Sequence, residues 1–393
     1  MGRPDVSASG EKMLLLLACV IAFAAAPVSA QNPAEPQPPI VIAVAGDTLP
    51  EPYWRPQNKI DTFLDGMREE FARADLVFLN LEQPITNSNK ATPFKNPALV
   101  KAKKDYILRA TNPGIPKMLK GAGVGLVGLA NNHMMDYMVV GLNDTLRHFR
   151  EAGLPFVGVG LKPDAERAFI FEKYGRRVAL LSFSDVVPNG AKATEKSPGI
   201  ASAKDELDLA NAIRAARVEA DFVVLMIHWG GQGSHQIIPR QRHLARVAVE
   251  AGCDVVMGMH PHVLQGVEYI NEKPVFYSLG NFAMASSRQA QRETILVRLV
   301  FGKRQLESVE LVPVFAATDG VPHLATREVG AGILKNLDQL CWNFNTRIED
   351  GKLGMGPVRA SLRPLKPRRP KSKGTGGRKQ RDMAPTGAGT GEK

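Results

Sequence analysis

Short apolar runs alternate along this chain with longer segments whose apolar residues recur at the spacing of one helix face. The runs have the length of buried β-strands, and the longer segments have that of amphipathic helices. Predicted strands cover residues 40–47, 75–82, 124–129, 156–160, 223–228 and 254–258, and predicted helices cover 60–74, 113–121, 140–152, 203–220, 239–252 and 330–349. Antiparallel pairs are predicted for 168–171 with 177–183, 267–270 with 274–279, and 294–301 with 306–315. The alternation indicates an α/β fold.

Polar side chains stand where the predicted strands end. In chain order they are Asp47, Asn80, Glu82, Asn132, His133, His228, His260 and His262. Open α/β sheets bind ligands beyond the carboxyl ends of their strands, where several loops converge. Only Pro261 separates His260 from His262, so an extended segment would point both imidazoles at one ion. We therefore predict a binding site at this edge of the sheet.

The residue types at this edge favour metal ions. A single histidine at a strand end is more often a hydrogen-bonded core residue, but three at matching strand ends favour metal binding. Mixed carboxylate, amide and imidazole donors suit two divalent ions of the Mn, Fe or Zn type better than a closed structural zinc. The three cysteines form no Cys-x-x-Cys pair, which argues against a thiolate site. Two metals are a common arrangement for displacement at phosphorus, and a histidine that is not a ligand, such as His133, would protonate the leaving group.

Six short motifs occur in order between residues 40 and 285. They are Gly46-Asp47, Asn80-Leu81-Glu82-Gln83-Pro84-Ile85-Thr86, Leu129-Ala130-Asn131-Asn132-His133 with Asp136-Tyr137, His228-Trp229-Gly230, Gly258-Met259-His260-Pro261-His262-Val263-Leu264-Gln265 and Tyr277-Ser278-Leu279-Gly280-Asn281-Phe282. This combination resembles the CapA-type poly-γ-glutamate capsule-synthesis proteins, relatives of the calcineurin-like metallophosphatases. The resemblance implies a four-layer αββα sandwich of the metallo-dependent phosphatase type.

The resemblance also implies roles for individual residues. The implied metal ligands are Asp47, Glu82, Asn132, His228, His260 and His262. His133 and Asp136 are the implied catalytic pair, although His133 also matches a metal-site position. The implied substrate-contacting or outer residues are Asn80, Asn131, Trp229, Gln232 and Asn281.

Four positions depart from the related sequences. The histidine that usually follows two residues after the aspartate of the first metallophosphatase motif is missing, because Leu49 stands there. Gln232 replaces a common acidic residue, Met259 replaces a frequent polar residue, and Met138 replaces a glycine. The loss of a charge at Gln232 weakens the expectation of catalysis more than that of the fold, since outer groups tune a metal site.

The two ends of the chain differ in composition from the central domain, which is predicted to span residues 40–350. Residues 13–26 are uninterruptedly apolar and Val28-Ser29-Ala30 offers small residues, so 1–30 is predicted to be a signal peptide cleaved before Gln31. An uncleaved membrane anchor and a lipoprotein signal at Cys19 are the alternatives. Residues 31–39 are a Pro-rich linker. Residues 351–393 are predicted to be a disordered basic tail, since 359–393 carries eleven Lys or Arg against two acids within a net charge of +11.

Three functions follow as hypotheses. The first is an exported, periplasmic or cell-surface metal-dependent hydrolase that acts on a phosphoester or on an amide-linked anionic envelope polymer. The second is a non-catalytic accessory that binds or exports such a polymer, together with membrane-bound synthesis or export partners. The third and weaker one is an exported nucleotidase, for which the 6% of aromatic residues offers no evident base-stacking pair. No specific nucleic-acid partner is expected, because the excess positive charge lies mainly in the tail.

Overall fold

Two β-sheets pack face to face and carry the candidate site at one edge. The computed structural model describes residues 2, 37–52, 60–102 and 105–356. The N-terminal unit, residues 1–38, is described only at residues 2, 37 and 38, whereas the unit that begins at Pro39 contains all the elements below. The predicted signal peptide, most of the linker and residues 357–393 of the predicted tail lie outside the described residues.

The strands of the described ranges are bounded as follows in chain order. They are β1 (Ile40–Thr48), β2 (Leu76–Leu81), β3 (Leu126–Gly128), β4 (Phe156–Val157), β5 (Val159–Gly160), β6 (Phe169–Lys173), β7 (Arg176–Ser184), β8 (Gly199–Ile200), β9 (Phe222–His228), β10 (Val255–Met259), β11 (Val267–Ile270), β12 (Lys273–Phe276), β13 (Asn281–Ala283), β14 (Glu293–Phe301), β15 (Leu306–Ala316), β16 (Pro322–Leu324), β17 (Thr346–Glu349) and β18 (Lys352–Met355).

The helices of the same ranges are mostly short. They are α1 (Arg68–Phe71), α2 (Pro97–Lys101), α3 (Ile115–Gly121), α4 (Met138–Ala152), α5 (Lys162–Ala165), α6 (Glu206–Glu219), α7 (Pro239–Glu250) and α8 (Arg327–Leu340). Single 3-10 turns occur at Ile60–Thr62, Asp65–Met67 and Gln289–Gln291.

The larger sheet has the strand order β17-β18-β15-β14-β1-β2-β3-β4, with β13 added to β1 and β16 to β15. The smaller sheet has the order β11-β12-β10-β9-β7-β6, and β5 pairs with β8 separately. Strands β1 to β4 run parallel to one another, as do β7, β9, β10 and β12. Their carboxyl ends therefore meet at a common edge within each sheet.

The central strands bury both faces, as their near-continuous apolar sequences require. Along β1, Ile42 and Val44 belong to the core between the two sheets, whereas Ala43 and Ala45 belong to the core beneath the helices. The rings of Phe222 and Phe301 join the sheets at a centroid distance of 4.6 Å. Helices α3 and α4 contribute to the helix-side core, and α6 and α7 contact the smaller sheet. The predicted four-layer αββα sandwich is confirmed.

Two predicted helices are wrong in extent. Residues 60–74 form two 3-10 turns, separated at residues 63 and 64, and the single turn α1, and this path still buries Phe63 and Phe71. The helix predicted for 330–349 ends as α8 at Leu340, because the following residues turn back to form β17 and β18. Since β18 lies beyond residue 350, the folded domain extends past the predicted start of the tail.

Candidate metal centre

The carboxyl ends of β1, β2, β3, β9 and β10 converge on one buried cluster. Asp47 lies near the end of β1, Glu82 directly follows β2, and Asn132 follows β3 by four residues. His228 is the last residue of β9 and pairs with Met259 of β10, so that His260 comes next to it. All five side chains are buried. The structure thus brings together the polar groups that the strand-end pattern predicted.

Glu82, His228 and His260 form the first candidate ligand group, with ligand atoms that lie within 4.8 Å of one another. The Nε2 atom of His228 lies 3.0 Å from Nδ1 of His260 and 3.3 Å from Oε1 of Glu82. It also lies 2.8 Å from Oδ1 of Asn132, which brings the predicted amide ligand to the same point.

Asp47, Glu82 and His262 form the second candidate group, again within 4.8 Å. The Nδ1 atom of His262 lies 3.5 Å from Oδ2 of Asp47, and its Nε2 atom lies 3.7 Å from Oε1 of Glu82. His262 is the most exposed of these three, with a side chain that is 12% exposed. Glu82 belongs to both groups and therefore lies between them.

The buried polar atoms of this cluster fit a bound cation. Both carboxylate oxygens of Glu82 and Nδ1 of His228 are buried without a hydrogen-bond partner among the described residues. Burying an unpaired polar or charged atom costs free energy that a native structure ordinarily avoids. Carboxylate oxygen and imidazole nitrogen are ordinary ligands of Zn, Mn and Fe. A divalent cation bound at either candidate ligand group would give the carboxylate oxygens of Glu82 a partner, because Glu82 belongs to both groups.

His260 and His262 do not face the same point, which corrects the prediction made from their spacing. The backbone is not extended here, because φ is 94° at His260 and 58° at His262. Both values lie in the left-handed region, where alternate residues no longer share a face. The turn sends His260 to the first ligand group and His262 to the second.

Three asparagines hold the ligands in place. Asn80 donates through Nδ2 to Oδ1 of Asp47 at 2.8 Å, and the backbone N–H of His260 donates to Oδ2 at 2.9 Å. Asn131 donates to Oδ1 of Asn80 at 3.1 Å. Oδ1 of Asn281 lies 2.8 Å from Nδ1 of His262. Asn80, Asn131 and Asn281 therefore lie beside the candidate ligands.

The other two implied outer residues lie elsewhere. Trp229 is fully buried, donates through Nε1 to the carbonyl oxygen of Tyr277 at 2.8 Å and stacks on that ring, so it packs the core and presents no surface to a substrate. Gln232 is exposed in the loop after β9, and within the described ranges its side chain makes no hydrogen bond to the cluster. Leu49, which stands where the first metallophosphatase motif usually has its histidine, packs in a small apolar cluster with Leu108 and Met284.

His133 and Asp136 form a buried pair with a lysine that sequence reasoning missed. The Nδ1 atom of His133 lies 2.7 Å from Oδ2 of Asp136. Lys95 lies beside both, with Nζ 2.6 Å from Oδ1 of Asp136 and 3.1 Å from Nδ1 of His133. A lysine in a polar segment without hydrophobic periodicity is ordinarily solvated, so no signal in the sequence marked Lys95.

Burial and mutual charge shift the pKa values of this cluster. Burial raises the pKa of Asp47, and the charge of Glu82 adds to the shift. For Glu82, burial alone would raise the pKa, but the charges of His262 and His228 outweigh it and hold the pKa well below its usual range. Burial lowers the pKa of His260, and the neighbouring histidines lower it further. Burial opposes the charged form of His262 too, yet Glu82 and Asp47 raise its pKa.

A cleft of about 610 Å³ opens beside the cluster. Asn132 and Lys95 line it on the side of the candidate ligands, and Arg240 and Lys204 line it farther out. Its size is within the range of small-ligand sites. The buried cluster therefore lies next to a space that a substrate group can enter.

The sequence profile of the bacterial capsule synthesis protein family PGA_cap matches residues 41–286. The chain belongs to this family. It is 33% identical over 300 residues to the PGA biosynthesis protein CapA of Bacillus subtilis, with 76% of each chain covered. It is 34% identical over 250 residues to the capsule biosynthesis protein CapA of Bacillus anthracis, where 61% of each chain is covered.

Among solved structures, this PGA_cap protein is similar to one described as a 5′-nucleotidase from Staphylococcus aureus. The TM-score is 0.46 at 14% sequence identity, and the match covers 78% of this chain and 59% of that one. The PGA_cap match spans every candidate ligand from Asp47 to His262.

In the described ranges no helix has the length and apolar character needed to cross a membrane.

Proposed function

We propose that this PGA_cap protein is a divalent-metal-dependent hydrolase that serves the synthesis of an anionic capsule polymer such as poly-γ-glutamate. The family membership supports the link to capsule synthesis. The bond attacked is a phosphoester or an amide bond in that polymer or its precursors. Function cannot be argued from the fold alone, so the proposal depends on the chemistry of the site.

The observation that carries this proposal is the environment of Glu82. Its two carboxylate oxygens are fully buried, have no hydrogen-bond partner among the described residues and lie within reach of both ligand groups. A carboxylate kept charged in the interior needs a compensating positive charge. Divalent ions of the Mn, Fe or Zn type, held by the two candidate ligand groups that share Glu82, would supply that charge.

Each residue has a defined task in this proposal. Glu82 contributes to both metal positions, which Asn132, His228 and His260 complete on one side and Asp47 and His262 complete on the other. When bound, the ions lower the pKa of a water molecule and neutralise charge on the group being transferred. Doubly protonated His133 gives its Nε2 proton to the leaving group and keeps the proton on Nδ1, which donates to Asp136.

The substrate and the location of the protein follow as parts of the same proposal. An anionic polymer or its phosphoester precursor is the expected substrate, and membrane-bound synthesis or export proteins are the expected partners. The family link to capsule formation is consistent with a place in the cell envelope. Export rests on the signal peptide that the sequence predicts for residues 1–30.

A non-catalytic role is the second candidate. A Mycobacterium tuberculosis protein that is 28% identical over 225 residues is named a polyglutamine synthesis accessory protein, and the match covers 54% of this chain and 56% of that one. Leu49 in place of the histidine of the first metallophosphatase motif favours this candidate as well, because one ligand is then missing. An accessory protein of this kind would bind the polymer and leave its bonds intact.

The test compares the purified wild-type chain with a variant that carries His260→Ala and His262→Ala. Metal content is measured by plasma mass spectrometry, and hydrolysis is measured on an aryl phosphodiester and on poly-γ-glutamate. About two Mn, Fe or Zn per wild-type chain, lost together with turnover in the variant, support the hydrolase. Metal without turnover, combined with retained polymer binding, supports the accessory role instead. Metal content that is low and equal in both proteins overturns the metal site itself.

A further inference from the structure

Lys95 is a charged side chain buried beside the candidate metal centre. Its side chain is only 5% exposed. Its Nζ atom lies 2.6 Å from Oδ1 of Asp136, 2.5 Å from the carbonyl oxygen of Tyr106 and 3.1 Å from Nδ1 of His133. A second acidic group, that of Asp105, lies 3.8 Å away. Lysine is almost never this deeply buried unless its charge is paired, so the position reflects a specific requirement.

Both carboxylate oxygens of Asp136 have a hydrogen-bond partner. Oδ1 of Asp136 accepts from Lys95. Oδ2 accepts from the backbone N–H of Leu108 at 2.6 Å and lies 2.7 Å from Nδ1 of His133. Because the first oxygen is occupied by the ammonium group, the second is the one left for the histidine. Lys95 therefore orients the carboxylate as a whole.

The same geometry decides which way the imidazole of His133 is used. Nδ1 of His133 lies near Lys95 and near Asp136. The ammonium group of Lys95 only donates, so a proton on Nδ1 can be accepted only by the carboxylate of Asp136. Nε2 is then the atom left to face a substrate, and no described residue forms a hydrogen bond with it. A fixed tautomer and a fixed ring orientation are what proton transfer at one nitrogen requires.

We infer that Lys95 is a positioning residue that holds Asp136, and through it His133, in the orientation needed for proton transfer from Nε2 to a leaving group. This inference rests on the proposed hydrolase function. Lys95 also ties the segment between β2 and α2 to the site, since Phe94 and Asn96 on either side of it line the same cleft. Binding in the cleft and the orientation of His133 are thereby linked through one residue.

The first test reads the ring of His133 directly, without turnover. Metal-free wild-type, Lys95→Met and Lys95→Gln chains are labelled with ¹⁵N-histidine, and the His133 signals are assigned by their absence from a His133→Gln variant. In the neutral ring, which is the form left once Nε2 has given up its proton, the wild type is expected to show one tautomer, with the proton on Nδ1. The two Lys95 variants are expected to show a mixture of tautomers. Lys95→Gln removes the charge but keeps a hydrogen-bond donor at the site. The tautomer measurement is made on this variant if Lys95→Met does not fold.

The second test uses leaving groups of different acidity. Loss of an oriented acid slows phenyl phosphodiester hydrolysis more than p-nitrophenyl phosphodiester hydrolysis, because the nitrophenolate departs without a proton. Lys95→Met is expected to lower kcat for the phenyl ester at least about tenfold more than for the nitrophenyl ester, with little change in KM. Lys95→Arg is expected to recover part of the loss. Lys90→Met, which alters an exposed lysine of the same segment, is the matched control and should match the wild type.

The outcomes separate the two proposals. Equal losses on both esters, or a His133 tautomer that is the same in wild type and both Lys95 variants, overturn the positioning role. A wild type that binds metal but hydrolyses neither ester and leaves poly-γ-glutamate intact overturns the hydrolase, and the tautomer measurement still decides the role of Lys95. Metal content is measured for every variant, and a Lys95 variant that loses metal would show that Lys95 supports the metal centre instead.

Discussion

The Nδ1 atom of His260 lies 3.0 Å from the Nε2 atom of His228. The two buried rings come from neighbouring parallel strands, β9 and β10, whose ends bring them together. Burial lowers the pKa of His260, which favours its neutral form. These two imidazole nitrogens, together with Oε1 of Glu82, are donor types that divalent ions such as Zn, Mn and Fe bind. The ends of β9 and β10 thus place two imidazoles of the first candidate ligand group side by side.

The shared position of Glu82 predicts how metal content responds to single substitutions. Glu82→Gln should remove both ions, because the neutral amide weakens both ligand groups. His260→Ala and His262→Ala should each remove about one ion per chain, since each histidine belongs to one group. Metal per chain, measured by plasma mass spectrometry after dialysis, checks this order. His243→Ala, at an exposed histidine of α7, should keep the wild-type metal content. An equal loss in His260→Ala and Glu82→Gln would contradict the division into two groups.

The left-handed backbone of His260 predicts an unusual preference for glycine. A residue with a Cβ atom is strained at a φ of 94°, whereas glycine is not. In metal-free protein, His260→Gly should therefore have a free energy of unfolding about 1 kcal/mol higher than His260→Ala. Urea unfolding in EDTA measures the difference.

The control for this comparison is His243 in α7. His243 has a helical backbone, in which alanine is favoured over glycine. His243→Gly should therefore have a free energy of unfolding about 1 kcal/mol lower than that of His243→Ala. If alanine is also the more stable substitution at position 260, the left-handed conformation is not present in solution.

The lowered pKa of His260 predicts that metal-free protein loses stability in mild acid. The folded-state pKa lies below the ordinary value of 6.5, so below pH 6.5 the unfolded chain binds a proton that the folded chain does not. The free energy of unfolding should fall as the pH drops below 6.5 toward the folded-state pKa of His260, by up to about 1.4 kcal/mol per pH unit. His262 has a raised pKa and acts in the opposite direction, because its contribution is present below pH 6.5 and is lost as the pH rises.

A comparison of two proteins isolates the effect of His260. Urea unfolding in EDTA is measured at several pH values for wild type and for His260→Asn. The variant should lose less stability than the wild type on acidification. Parallel curves for the two proteins would show that His260 is not the group responsible.

The absence of a side chain at Gly258 predicts that β10 tolerates no Cβ atom at this position. A Cβ atom there would lie 2.1 Å from the carbonyl oxygen of Tyr277 and 2.5 Å from Nε1 of Trp229. Gly258→Ala should lower the free energy of unfolding by about 2–3 kcal/mol through overpacking. It should also lower metal content, because His260 follows two residues later. Gly332→Ala in α8, where nothing lies within 4 Å, should instead raise stability by about 1 kcal/mol. Chemical unfolding of both variants checks the contrast, and equal effects would disprove the steric argument.

Most strands of the fold could be predicted, because their apolar sequence pattern agrees with their buried positions in the two sheets. The apolar runs that ended in Asp47, Glu82 and His228 form β1, β2 and β9 in one layered sandwich. Helix limits were less predictable where tertiary contacts outweighed spacing. Residues 341–349 carry helical spacing but leave the helix, and Thr346–Glu349 pairs with β18.

The candidate site was predictable in membership but not in geometry. The sequence by itself determined which strand ends carry carboxylate, amide and imidazole groups, because strand periodicity and the rule of convergent strand ends are local properties of the chain. Only the tertiary structure decided that His260 and His262 separate into two groups, that Trp229 is buried in the core and that Lys95 reaches Asp136. The physical reason is that a left-handed turn and a buried charge are stabilised by contacts with residues distant in sequence, which no local pattern records.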